Sequence, residues 1–350
     1  TYETLVGDIN IPWGMAFIGE NELLVTEISG TLYHVLNGVK TSIEGLPEIY
    51  TRGQGGLLDV ALHPDFKNNN IIYMTLAATL EGDEGGNTAL YQAKLVAHQL
   101  EDVKLLYKAT PNTKKGQHFG SRIAFDSDGH VYFSVGDRGN RDETPQDITR
   151  DGGKIYRLNW DGSIPEDNPF VSNSEAKQAV FSYGHRNPQG LHYIENSNLL
   201  ISTEHGPKGG DEINLINLDK KDSIPNYGWP IASYGKHYPV FPINSFTKKY
   251  APLKKSHKEN GFIEPLKYFT PAIGISQIIE NYTIKNNFFV SSLRQKTIFE
   301  VQLDSNFNFI KTEKEIKIGE RIRDIIYDNE HNCYLIYGES TPKLISMCPN

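Results

Sequence analysis

Apolar residues along this chain fall in short runs broken by Gly, Asn, Asp and Pro, and helical periodicity is almost absent. Such runs predict β-strands. They come in groups. Residues 14–17, 22–28, 31–36 and 39–43 form the first group; 57–62, 71–77, 88–96 and 103–108 the second; 121–125, 130–135 and 154–159 the third. Residues 189–193, 199–203 and 212–217 form the fourth; 276–280, 288–292, 297–303 and 309–316 the fifth; 323–327, 333–337 and 343–347 the last. Units of three to four strands repeating every ~40–60 residues are the signature of a β-propeller. The expected fold is all-β: a six-bladed β-propeller of four-stranded antiparallel blades, a single domain over residues 1–350. The last group is a strand short. The run 2–9 is expected to supply it, so that an N-terminal strand closes a ring whose blades otherwise touch only their neighbours. A pair of β-sandwiches is the alternative, and these unit lengths do not favour it. Two polar stretches, 138–153 and 219–269, interrupt the pattern. Long loops inside a compact domain are usually functional, so both are expected on the face where an active site opens.

Composition narrows the picture. A hydrophobic content of 38% supplies a core, and 19 Tyr and 16 Phe suit strands. A net charge of −8 argues against a nucleic-acid partner, which would need clustered Lys and Arg. The short pairs Lys114-Lys115, Lys220-Lys221 and Lys254-Lys255 read as solvated loops. No apolar run approaches the ~20 residues of a membrane-spanning helix. Cys333 and Cys348 flank two apolar runs joined by Gly338-Glu339-Ser340-Thr341, a hairpin pattern that sets the two thiols roughly opposite each other. A disulfide fits that geometry and an oxidising compartment; two free, buried thiols are the alternative. The chain starts at Thr1 without Met, which leads us to expect a removed secretory signal, a shortened chain being the other explanation.

Chemistry concentrates in a few loops. Glu204-His205-Gly206-Pro207-Lys208-Gly209-Gly210-Asp211-Glu212 and Gly184-His185-Arg186-Asn187-Pro188-Gln189-Gly190 set charged and amide side chains beside bare backbone, a mixture few folding needs call for. Together with Gly53-Gln54-Gly55-Gly56 and Gln117-His118-Phe119-Gly120, over about residues 11–324, they resemble the soluble quinoprotein sugar dehydrogenases. That is the glucose/sorbosone dehydrogenase family, here its aldose sugar dehydrogenase branch. The resemblance implies pyrroloquinoline quinone (PQQ) and Ca2+ as cofactors, an aldose substrate oxidised at C1 to the lactone, an electron acceptor of unspecified identity, and the bacterial periplasm or a secreted location.

The residues agree with a bound hydride acceptor. No side chain accepts hydride, so a cofactor must. No Gly-x-Gly-x-x-Gly follows a strand, which speaks against a nicotinamide. His118 occupies the place of the family's catalytic histidine, and an imidazole is largely neutral at pH 7, as a general base must be. A structural loop histidine is the other reading. Glucose-specific relatives place an Asp before this His to orient it; Gln117 stands there instead, and an amide supplies no charge to an imidazolium. The resemblance also implies that Gln54, Arg186 and Asn187 lie near the quinone. Arg186 would stabilise charge on the reducing quinone oxygen. Arg294, Arg321 and Arg323 would meet the quinone, and Tyr238 would cover it or the substrate. Alternation along a strand puts Arg321 and Arg323 on one face. For calcium it implies the backbone carbonyls of Gly206 and Pro207 at the quinone, and Glu212 with the Tyr227 backbone at a second, structural ion. Asp211 reads either as part of that set or as a turn residue. The segment 270–276 departs from the family pattern, lacking a hydroxyl at one cofactor position and a second proline. Two rival functions stay open. One is a calcium-dependent propeller lactonase or hydrolase, the other a propeller binding module that has lost the cofactor.

Overall fold

The computed structural model describes residues 2–6, 8–79, 84–195, 197–219, 224–239, 245–341 and 343–349. Strand β1 is Tyr2–Leu5. The first sheet follows as β2 (Pro12–Gly19), β3 (Glu22–Glu27), β4 (Thr31–Leu36) and β5 (Val39–Ile43). The second is β6 (Leu57–Leu62), β7 (Ile71–Ala78), β8 (Asn87–Val96) and β9 (Gln99–Lys108). The third is β10 (Ile123–Phe125), β11 (His130–Val135), β12 (Lys154–Asn159) and β13 (Val180–Tyr183), and the fourth β14 (Pro188–Ile194), β15 (Leu199–Glu204), β16 (Asp211–Asn217) and β17 (Lys267–Phe269). The fifth is β18 (Ile275–Glu280), β19 (Asn287–Ser292), β20 (Thr297–Leu303) and β21 (Phe309–Lys317); the sixth holds β22 (Ile322–Asp328), β23 (Cys333–Gly338) and β24 (Lys343–Met347). Each sheet is four-stranded, and the fold is a six-bladed β-propeller. Helix is limited to short pieces such as Phe66–Asn69 and Ser245–Tyr250, and among the described residues none is long and apolar enough to cross a membrane.

The sixth sheet runs in the order β1-β24-β23-β22. Strand β1 pairs antiparallel with β24, Tyr2 opposite Ser346 and Leu5 opposite Lys343, so the N-terminal strand completes the last blade as expected. Residue 7, within the run assigned to that closure, lies outside the described residues. Val6 and Ile9 continue into a core cluster with Met15, Val25 and Tyr337. Cys333 and Cys348 form a disulfide at the base of the last hairpin.

Two strands escaped the sequence pattern. β13 and β17 complete the third and fourth sheets with only four and three residues. Each follows a long polar stretch, and so short a strand carries no measurable alternation. The strands that were legible are those buried on both faces. β7 is buried from its second residue to its last, and β19 throughout.

By internal contacts the chain divides into residues 1–108 with 279–350 as one unit and 109–278 as another. The first unit has cores built on Leu24, Leu76 and Leu57, and on Ile298, Ile336 and Tyr334. The second is organised on Tyr132, Ile155, Phe181, Leu200 and Ile216, with the Tyr227 ring packed among them. Of the 219–269 stretch, 220–223 and 240–244 lie outside the described residues; the rest includes one short helix and β17.

Candidate active site

In the second unit, His118 sits just ahead of β10 with φ at 56°, a left-handed conformation uncommon for a residue with a side chain. Gly136, at the end of β11, allows this loop to come close: a Cβ there would meet the His118 carbonyl at 2.2 Å. Asp137 follows directly. Its Oδ1 lies 2.6 Å from His118 Nδ1 and accepts the Gly139 N–H at 2.8 Å, while Oδ2 accepts the Trp229 indole N–H at 2.9 Å. A carboxylate accepts, so Nδ1 carries the proton and the lone pair is left on Nε2. Burial alone would raise the Asp137 carboxyl, but the charge and hydrogen bond of His118, then Arg186 and the Gly139 N–H, hold it at about 2. Burial lowers the His118 imidazole, the Arg186 charge lowers it further, and Asp137 offsets part of this. The pair is thus an ionised carboxylate and a neutral imidazole at pH 7.

This corrects the reading of Gln117. Its side chain is exposed and lies toward Gly139, and its carbonyl accepts from Arg138. The charge that Gln117 cannot supply comes from Asp137.

Arg186 lies in the turn between β13 and β14 and is 8% exposed. Its Nη1 donates to the His205 carbonyl at 3.1 Å, its guanidinium lies 5.4 Å from the Trp229 ring, and its backbone N–H donates to Glu204 Oε2 at 2.6 Å. Asn187 Oδ1 accepts the Gly120 N–H at 3.0 Å, tying this turn to the His118 loop. Glu204 Oε1 also holds His185 Nδ1 at 3.0 Å, and His185 Nε2 lies 2.8 Å from the Ser182 hydroxyl. Ser182–His185–Glu204 has the order of a hydrolytic triad. Yet Ser182 and His185 are 0% exposed, and the imidazole is capped by the Tyr227 ring 4.5 Å away. No substrate reaches that hydroxyl, and the trio serves to anchor Glu204 beneath Arg186.

The loop after β15 carries Gly206 and Pro207, and Glu212 follows it on β16. Asp211 Oδ1 accepts the Gly206 N–H at 3.0 Å, and Oδ2 accepts those of Gly274 and Ile275 at 2.8 and 3.1 Å. Asp211, the first residue of β16, thus bonds the backbone of the Gly206 loop and holds that of the divergent 270–276 segment. Glu212 is buried, and burial followed by the neighbouring Glu204 carboxylate pushes its carboxyl well up. Its Oε1 faces His257 Nε2 at 3.4 Å, and that nitrogen is a buried atom with no hydrogen-bond partner. Glu204, Gly206, Glu212, Trp229 and His257 line a cavity of about 10 Å³, room for roughly one water-sized group. Arg186 lines the same space, so the Glu204 and Glu212 carboxyls face one guanidinium across it, and an oxygen-seeking cation there would share them with Arg186. The Tyr227 carbonyl accepts from His257 Nδ1 at 3.0 Å, which occupies one of its two lone pairs. His257 had no part in the sequence reading; it comes 30 residues after Tyr227 and no local pattern marks it. Among the described residues no group of three His, Cys, Asp or Glu side chains is arranged around a metal position. Tyr238 is 42% exposed, next to His237, whose Nδ1 accepts from Arg141 at 3.0 Å.

In the first unit, Gln54 is exposed in a turn closed by Arg52 and Gly55, whose backbones exchange hydrogen bonds of 3.3 and 3.0 Å. Arg294 is exposed in the turn between β19 and β20. Arg321 and Arg323 converge as strand alternation predicts: Arg321 Nε pairs with Glu339 Oε2, and Arg323 Nη2 lies 3.3 Å from Glu339 Oε1. Arg323 also stands over the Trp13 ring at 5.8 Å. Both guanidiniums thus face the Glu339 carboxylate.

The molecule is thus a β-propeller that sets a neutral, carboxylate-held imidazole beside a fixed guanidinium. It belongs to the Glucose / Sorbosone dehydrogenase family, whose profile matches residues 9–346. It is 32% identical to the aldose sugar dehydrogenase YliI of Escherichia coli K12 over 99% of this chain and 92% of that protein. The crystal structure of the soluble aldose sugar dehydrogenase of Escherichia coli in its apo-form superposes with a TM-score of 0.87 at 29% identity, covering 100% of this chain and 99% of that one. The PQQ-bound aldose sugar dehydrogenase of Streptomyces coelicolor shares the fold with a TM-score of 0.75 at 24% identity, over 97% of this chain and 93% of that one.

Proposed function

We propose that the chain is a quinoprotein aldose dehydrogenase that oxidises the C1 hydroxyl of an aldose to the lactone. The observation that carries this reading is the His118–Asp137 pair at 2.6 Å beside Arg186. His118 Nε2 takes the hydroxyl proton; the C–H bond then breaks as hydride departs and the carbonyl forms. PQQ, when bound, supplies the two-electron acceptor that the side chains lack. Asp137 holds the tautomer and faces the imidazolium formed by proton transfer. Arg186 offers fixed positive charge to an anionic cofactor, and Gln54, Asn187, Tyr238, Arg294, Arg321 and Arg323 are further cofactor contacts by the family pattern. Ca2+ would take its oxygens from the Gly206 and Pro207 carbonyls and, at a second position, from Glu212 with the Tyr227 carbonyl. An electron acceptor carries the electrons away, and the disulfide suits a periplasmic or secreted setting.

A calcium-dependent lactonase or hydrolase would set carboxylate and Asn side chains on a metal; the Arg186 guanidinium beside His118 favours an anionic ligand instead. The binding-module alternative rested on the 270–276 departure, whose backbone is nevertheless clasped by Asp211. The deciding experiment adds PQQ and CaCl2 to the purified chain and follows sugar-dependent dye reduction and the absorbance of bound quinone. Reduction that needs both additions supports the reading. Quinone binding without turnover of any aldose would leave a binding module, and neither binding nor turnover would overturn the proposal. In the same preparation, Glu212→Gln should lower the melting temperature with calcium present by a few degrees, because a ligand bound only to the native state stabilises it by mass action.

A further inference from the structure

We propose that His34 and His98, in the first unit, form a binding site for one divalent d-block cation such as Cu2+ or Zn2+, with Glu22 fixing the His34 ring. His34 lies on β4, and its Nε2 sits 2.7 Å from Glu22 Oε1 at the start of β3. The carboxylate accepts, so the Nε2 proton is spoken for and the lone pair of the neutral ring is on Nδ1. Facing that lone pair at 3.1 Å is His98 Nε2. Imidazole nitrogens bind such ions at about 2.0–2.1 Å, which puts two adjacent nitrogens about 3.0–3.3 Å apart around the metal. The observed separation falls within this range.

Both rings stand on fixed backbone. His34 is held by ladder pairing on both sides, opposite Leu24 of β3 and Thr41 of β5. His98 lies in the turn between β8 and β9. Its carbonyl accepts the Glu44 N–H at 2.9 Å, and the Glu44 carbonyl accepts the Leu100 N–H at 2.8 Å, so the turn is stitched to the end of the first sheet. A carboxylate on the far nitrogen of a metal-binding imidazole is the usual outer partner, setting ring orientation and raising its basicity. Without metal, His98 Nε2–H donates to His34 Nδ1. With metal, that proton moves to His98 Nδ1 and both rings stay neutral.

No third His, Cys, Asp or Glu completes the set among the described residues, so water fills the remaining positions. A site of two nitrogens and water favours Cu2+, at the top of the divalent series, and discriminates against oxygen-seeking Ca2+. It is thus separate from any calcium the family uses, and its fate is independent of the dehydrogenase reading. Because it joins β4 of the first sheet to a turn of the second, an ion there acts as a staple between two blades of this unit.

The test uses the full chain, untagged and metal-free, titrated with CuCl2 and with ZnCl2. Calorimetry should find one equivalent that is absent in both His34→Ala and His98→Ala. Paramagnetic resonance of the copper form should show two nitrogen ligands, and the melting temperature should rise with metal. Glu22→Gln should keep the site but weaken it about 10–100-fold. His98 lies in an exposed turn, and His98→Asn provides a second variant that keeps a polar side chain there. Circular dichroism of every variant checks the fold. If the wild type binds no such equivalent, or if the equivalent persists undiminished in folded His98→Ala and His98→Asn, the proposal is overturned.

Discussion

In the second unit His118 is gripped by Asp137, Asp137 by the Trp229 indole and the Gly139 N–H, and Arg186 by Glu204 at one end and the His205 carbonyl at the other. In the first unit Arg321 and Arg323 share one carboxylate, and Gln54 and Arg294 are exposed. Each group in the second cluster is thus held by bonds the protein makes to itself, most of them buried. The arginines of the first are held by a carboxylate that any anionic ligand must compete with or join. The contrast separates reaction from affinity. On the proposed function, the proton-removing pair is built before ligand arrives, while the cluster of Arg321, Arg323 and Glu339 would govern affinity for an anion.

The largest effects should come from the prebuilt cluster. His118→Asn should reduce kcat/KM for sugar by about 10²–10⁴-fold, the range for losing a general base, with quinone affinity little changed. Asp137→Asn should fall by roughly 10²-fold, because the wrong tautomer is then permitted and the imidazolium loses its counter-charge. The pH profile distinguishes this from simple misfolding. A base must be unprotonated, so activity is lost as pH falls through the His118 pKa. Burial and Arg186 hold that value below the ordinary ~6.5. Asp137 raises it, so the acid limb should move to still lower pH in Asp137→Asn. A limb that moves upward would break the assignment of Asp137 as the raising group.

The first unit should answer in affinity instead. Arg323→Gln should weaken quinone binding by about 10-fold or more, as expected for one charge-assisted contact, and leave turnover of the loaded protein nearly intact. Glu339→Gln should act in the opposite sense, tightening the quinone a few-fold, since it releases two guanidiniums from a competing carboxylate. Titration of quinone against both variants checks the pair. Weaker binding in Glu339→Gln would show that the carboxylate aligns the arginines rather than competing for them, and the contrast between the two units would narrow.

These differences also explain what the sequence disclosed. Runs such as β7 and β19 are buried on both faces, so their apolar character is continuous and the blades built on them are readable. β13 and β17 are too short to show alternation, and their pairing with β12 and β16 is decided by tertiary contact. His118 and Arg186 lie in dense loops that announce themselves. Asp137 comes 19 residues after His118, on the far side of two strands, and the Gly136-Asp137-Arg138-Gly139 turn that carries it looks like the mere start of an insertion. A partner across a sheet leaves no local trace, which is why the charge was sought at position 117 and found at 137.

The smallest expected effect tests the buried trio. Ser182, His185 and Glu204 stand in hydrogen-bond order at 2.8 and 3.0 Å, so geometry alone would assign them hydrolytic chemistry. Burial argues the reverse, because a nucleophile sealed from solvent meets no substrate, whereas His118 keeps 17% of its side chain accessible. Ser182→Ala removes one buried hydrogen bond and nothing else of consequence. It should destabilise the protein by about 1 kcal/mol and leave sugar oxidation within roughly 2-fold of wild type. A loss of activity comparable to that of His118→Asn, in a variant that still folds and binds quinone, would mean that the trio takes part in the chemistry. Anchoring of Glu204 beneath Arg186 would then be only half of its role.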